Sequence, residues 1–122
     1  MPRFVFFEPN HLINADNITV IKYVSHLDGD EKYYNLQFVS DKTIFLEIEK
    51  KWNKDEALIG MKSLKVLFPK FIFNERFLIN KDKIVYFEVK DNNIQCYFTT
   101  GQTMIIDFSS NVEAIKCFKS IH

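Results

Sequence analysis

Glycine and proline are scarce in this chain of 122 residues, three of each. That scarcity excludes a glycine-rich phosphate cradle and leaves few long irregular segments. An excess of charge of either sign is also missing, because sixteen Lys and Arg balance sixteen Asp and Glu. With no net field there is no global attraction to nucleic acid or anionic lipid, and any such binding needs a local basic patch. No apolar run approaches the roughly 18 residues of a membrane span. The start, Met1-Pro2-Arg3-Phe4-Val5-Phe6-Phe7-Glu8, is too short and too soon interrupted for a secretory signal. The expectation is a cytoplasmic protein that does not engage membranes. Cysteine is limited to Cys96 and Cys117, which fit free thiols in a reducing compartment.

Catalytic and metal-binding patterns are likewise missing. His11, His26 and His122 have no metal-ligand spacing to one another or to a cysteine. No serine occupies a Gly-x-Ser-x-Gly elbow. The acidic residues fall in turns and near helix starts, where solubility and the helix dipole account for them. Asp28-Gly29-Asp30 lacks the further oxygen ligands of a calcium loop and reads as a turn. No enzyme, no metal and no cofactor is expected.

What is present is a large apolar complement, 47% of the chain with thirteen Phe and five Tyr, enough for a folded globule of one domain's length. It is also organised twice. Leu12-Ile13-Asn14-Ala15-Asp16-Asn17-Ile18 recurs as Leu78-Ile79-Asn80-Lys81-Asp82-Lys83-Ile84. Gln37-Phe38-Val39-Ser40-Asp41-Lys42-Thr43 recurs loosely as Tyr97-Phe98-Thr99-Thr100-Gly101-Gln102-Thr103, and each copy closes on a short helical pattern. The expectation is a single domain, residues 1–122, built from two repeats at about 4–67 and 68–122.

Each repeat reads as β-β-β-α. After a leading strand, Phe4 to Phe7, the first has strands at Ile18 to Val24, Tyr33 to Val39 and Thr43 to Ile48, where Ile44, Leu46 and Ile48 share a face. Asp28-Gly29-Asp30-Glu31 and Ser40-Asp41-Lys42 are the turns. A helix follows, with Asn53 as N-cap, Glu56 completing a capping box, and a stripe of Ala57, Leu58, Met61, Leu64 and Leu67 before Pro69. The second repeat has an aromatic run from Phe71 to Ile79 and strands at Ile84 to Val89, Ile94 to Phe98 and Thr103 to Phe108. Its helix has Ser110 and Glu113 as the better capping box, with Ile115, Phe118 and Ile121 as its stripe. The fold class is α+β, mainly antiparallel, with two pseudo-symmetric β-β-β-α halves packed into one domain.

Two segments could contact a partner. Lys50-Lys51-Trp52-Asn53-Lys54 joins a basic cluster to the single tryptophan at a helix start. Lys50, Lys51 and Lys54 could contact phosphate there, or the segment is a solvated linker whose Trp52 tucks against the core. Lys70 through Lys83 interleaves basic and amide side chains with Phe71, Phe73 and Phe77, which suits either a DNA-reading loop or an amphipathic strand.

This second segment resembles a known family. Asn74-Glu75-Arg76-Phe77-Leu78-Ile79-Asn80-Lys81-Asp82-Lys83-Ile84 is similar to the central motif of LytTR-type DNA-binding domains, and Asp16-Asn17-Ile18-Thr19-Val20-Ile21 is similar to that family's first strand. The resemblance implies a β-rich, non-catalytic bacterial regulator that binds duplex DNA through loops, with Lys70, Asn74, Arg76 and Lys81 as contacts. The family's adjacent basic position falls on Glu75, and a polar or basic position near its last helix falls on Ser110. Each half also resembles small FlbD-like proteins of flagellar operons, which implies a non-catalytic adaptor. The alternative function is therefore a tandem βββα module that binds a protein partner or forms a homodimer, without nucleic acid.

Overall fold

The structure, a computed structural model, describes every residue except Met1, Pro2, Pro9, Glu75, Arg76 and His122, and the backbone alone of Asp28. The expectations placed on those residues lie outside the described chain. Two compact units divide it, Met1–Asn80 and Lys81–His122.

The first unit opens with an antiparallel hairpin of β1 (Phe4–Phe7) and β2 (His11–Asn14), followed by a 3₁₀ turn at Ala15–Asn17. A five-stranded antiparallel sheet comes next, in the order β5-β4-β3-β7-β6. Its strands are β3 (Val20–Asp28), β4 (Glu31–Ser40), β5 (Thr43–Trp52), β6 (Phe71–Asn74) and β7 (Phe77–Asn80), with helix α1 (Lys54–Leu67) between β5 and β6. The β3–β4 turn is Gly29-Asp30, and Gly29 takes φ 64, a conformation glycine adopts at no steric cost.

Successive cross-strand partners line the sheet in rows. Leu46, Phe38, Ile21, Leu78 and Phe73 form one row on the core face. That face buries Phe38, Ile21 and Leu78 in a cluster with Phe7, Ile13, Met61, Leu64, Phe68 and Phe71. Each large side chain removed from water contributes about 2 kcal/mol, so this cluster dominates the unit's stability. On the opposite face Ile44, Val39, Val20, Ile79 and Ile72 form the next row.

The second unit starts with a 3₁₀ turn at Lys81–Lys83. It continues as a three-stranded antiparallel sheet of β8 (Ile84–Lys90), β9 (Asn93–Phe98) and β10 (Thr103–Asp107), with β9 central, and ends in α2 (Asn111–Ser120). Alternate β9 residues Ile94, Cys96 and Phe98 are buried, together with Ile106 and Ala114.

The α+β, mainly antiparallel class is as expected, and the order strand, strand, 3₁₀ turn, three strands, helix occurs twice. Several details differ. The aromatic run from Phe71 to Ile79 is not one strand but a hairpin, and it joins the first sheet through β3 and β7. The compact units accordingly divide after Asn80. Ile44 leaves the face of Leu46 because Phe45 is an extra residue in β5: Val39 pairs with Ile44 and Phe38 with Leu46. On α1 the buried stripe is Ala57, Met61 and Leu64, and Leu67 is exposed because Phe68 is buried at the helix end instead. On α2 only Ala114 is fully buried, and Phe118 is 37% exposed.

The caps reverse their expected rank. At α1 the box is reciprocal: Glu56 N–H donates to Asn53 Oδ1 at 2.8 Å and Asn53 N–H to Glu56 Oε1 at 3.2 Å. At α2 Ser110 Oγ accepts from Glu113 N–H, but the Glu113 carboxylate is taken by the Ser109 hydroxyl.

Candidate nucleic-acid interface

The β6–β7 hairpin is set by the end of α1. Phe68 N–H closes the helix on Leu64 O at 2.9 Å, and Pro69 prevents its continuation. Lys65 Nζ donates to the carbonyls of Pro69 and Phe71, and the Phe68 and Phe71 rings meet at 5.1 Å. Between these two buried rings the turn exposes Lys70. Asn74 lies at the far end of β6, half-buried, paired with Phe77. Four residue steps along extended backbone separate it from Lys70, a span of roughly 13 Å. The structure does not bring these two together, although they are near neighbours in sequence. Arg76 and Glu75 lie outside the described residues. Lys81 opens the second unit's 3₁₀ turn and is exposed.

Asn74 does share a row with a cation. Asn74, Phe77, Lys22, Gln37 and Glu47 are successive partners across all five strands. Directly paired residues project from the same face, so Lys22 stands about 10 Å from Asn74, two strand spacings away. Gln37 Nε2 donates to Glu47 Oε2 at 2.6 Å, which fixes the far end of the row. Lys22 was not among the sequence candidates. Its signal is a single charge inside the apolar run Ile18 to Val24, but its neighbours are defined only once β3 pairs with β7.

The secondary basic cluster is largely engaged. The Lys50 ammonium pairs with the Glu8 carboxylate and lies over the rings of Phe7 and Trp52, at 5.4 and 5.8 Å. Lys51 is 3.6 Å from Glu49. Lys54 is exposed at the first position of α1, where Asp55 and Glu56 follow it. Trp52 packs against the core and over Gly60 of α1, in line with a tucked tryptophan.

Asn80, in the motif that carries the family resemblance, is structural. It is 4% exposed, its Nδ2 donates to Ile18 O at 2.9 Å, and its N–H donates to Thr19 O at 3.0 Å. These bonds hold the end of β7 to the entry of β3. Asn14, its counterpart in the first copy, instead caps the adjacent 3₁₀ turn through Asp16 N–H. The cysteines are free thiols. Burial pushes Cys96 up to about 12, with Cys117 adding to the shift, and burial also raises Cys117. Among the described residues no cluster of His, Cys, Asp or Glu is placed to hold a metal, and no helix is long and apolar enough to cross a membrane.

No protein-family profile matches the chain, and no curated protein sequence matches it. The fold is similar to a solved structure, the LytTr DNA-binding domain of a protein named a methyl-accepting/DNA response regulator from Bacillus cereus. The likeness covers 96% of this chain and 95% of that one, with a TM-score of 0.54 and 10% sequence identity. At that identity the likeness is one of fold.

Proposed function

We propose that the protein is a non-catalytic regulator that binds duplex DNA, with Lys70, Asn74, Arg76 and Lys81 as contacts and Lys22 as a further cation in the Asn74 row. The supporting observation is the fold likeness to a LytTr DNA-binding domain across nearly the whole chain. Affinity rests on lysines meeting phosphates, with the amide of Asn74 available to a base edge or a phosphate oxygen. Because the chain carries no net charge, binding depends on these few cations, and its salt dependence counts them.

Fluorescence anisotropy against a random duplex reads this directly. With three to four phosphates neutralised, log affinity falls against log salt with a slope of about −3. Lys70→Gln and Lys22→Gln each make the slope shallower by about one. A signal that stays flat at the lowest salt refutes DNA binding.

A second reading, a protein-binding module with no nucleic-acid role, is favoured by the balance of charge and by the way Lys50 and Lys51 are already paired.

A further inference from the structure

The β1–β2 hairpin has two unequal faces. Phe7 and Ile13 are buried in the first unit's core, and Val5 packs against them. On the other face Phe4, Phe6 and Leu12 are 56%, 69% and 55% exposed, and Phe6 sits directly opposite Leu12. The surface continues past Leu12 across a groove of about 450 Å³ to Phe45, which is 45% exposed. Phe45 is the bulged residue of β5, and its half-exposed ring borders the core at 6.3 Å from that of Phe38.

At about 200 Å² for each phenylalanine, these four side chains expose apolar area on the order of 400 Å². A standard stable interface takes about 800 Å² from each partner, a little over half of it apolar. The patch therefore supplies nearly the whole apolar share of one side of such an interface. An isolated two-stranded hairpin is marginal in water, so cover on its second face also stabilises it.

We infer that this face is a dimerisation surface and packs against the same face of a second copy of the chain. The same apolar residues from two copies meet across a twofold axis, and two such sheets stack at about 10 Å. Sixteen positive charges against sixteen negative leave no net repulsion between the copies. The test of this surface uses no nucleic acid.

Sedimentation velocity on the chain from about 1 to about 200 µM spans the affinities of modest interfaces of this size. The expected species is a dimer. Phe6→Glu and Leu12→Ser each weaken dimerisation at least tenfold while leaving the far-ultraviolet circular dichroism unchanged, since both side chains are mostly exposed. Val85→Glu, on an equally exposed residue of β8, leaves the dimer intact. A wild-type chain that is monomeric throughout the range overturns the inference. So does a dimer that survives both hairpin substitutions.

Discussion

Replacing Gly60 by alanine should destabilise the protein, against the usual rule for a helix. Gly60 lies inside α1, where alanine is ordinarily better by about 1 kcal/mol. Here the space is taken. A Cβ on Gly60 would fall 2.7 Å from Cζ3 and 2.8 Å from Cζ2 of Trp52, and closer still to Cη2. Carbon atoms rest at roughly 3.5–4.0 Å, so the indole would have to retreat by about 1 Å. Its retreat is opposed by the core it packs on and by Lys50, whose ammonium lies over the same ring. Overpacking of this kind costs about 1–3 kcal/mol. Set against the propensity gain, Gly60→Ala should lose about 1 kcal/mol. In a Trp52→Ala background the obstacle is gone, and the same substitution should gain about 1 kcal/mol. The cycle therefore predicts a change of sign and a coupling of about 2 kcal/mol between the two positions. Urea denaturation followed by circular dichroism measures all four proteins, including those without tryptophan. Equal stabilisation by Gly60→Ala in both backgrounds would refute the packing of Trp52 on α1.

Three further predictions use the same denaturation assay and thiol chemistry. Asn80→Ala strips the buried Ile18 carbonyl of a partner and should cost about 2–3 kcal/mol, whereas Asn14→Ala removes an exposed cap and should cost about 1 kcal/mol; equal losses would contradict the different roles of the two asparagines. Toward thiol reagents at pH 8 the native protein should modify Cys117 first and Cys96 only on unfolding, given that Cys96 is buried and its thiol lies near 12. A thiol held above its ordinary value contributes stability below about pH 8.5, where both states keep the proton. That contribution falls as pH rises toward about 12, because the unfolded chain ionises first. Cys96→Ala should therefore show a shallower alkaline loss than the wild type, and identical slopes would sink the assignment.

Features written in local chemistry were legible from the sequence. Asp28-Gly29 marked the β3–β4 turn, and Asn53 with Glu56 marked the start of α1. The strand at Ile94 to Phe98 was legible too, and it is β9, with Ile94, Cys96 and Phe98 buried. What stayed hidden depends on distant partners. Phe71 to Ile79 holds no glycine or proline to mark its break, and the polar residues between its two apolar runs, Asn74-Glu75-Arg76, were assigned to partner contact. The bulge at Phe45 is invisible without the register of β4. The second cap was misjudged because Ser109, next to the expected Ser110, competes for Glu113. Of the candidate site, Asn74 found a polar neighbour in Lys22 only through a pairing between segments more than fifty residues apart. Lys70 and Asn74 were grouped by sequence proximity, which extended backbone converts into distance.

The asparagine bonds also explain why the two copies of one motif end in different surroundings. In the first copy the side chain of Asn14 is spent on its own 3₁₀ turn, and β2 keeps a single partner, β1. In the second copy Asn80 reaches back 62 residues to Ile18 O, and β7 gains β3 as well as β6. That extra pairing puts Lys22, Phe77 and Asn74 in one row. The candidate interface is thus made by the docking of β7 and not by the hairpin alone. A change that loosens Asn80 should separate Lys22 from Asn74 while leaving the chemistry of both intact. The salt dependence of DNA binding in Asn80→Ala then distinguishes the two cases. A slope lowered by about one, with folded circular dichroism retained, means that the row acts as a unit. An unchanged slope means that the lysines act independently of the sheet that carries them.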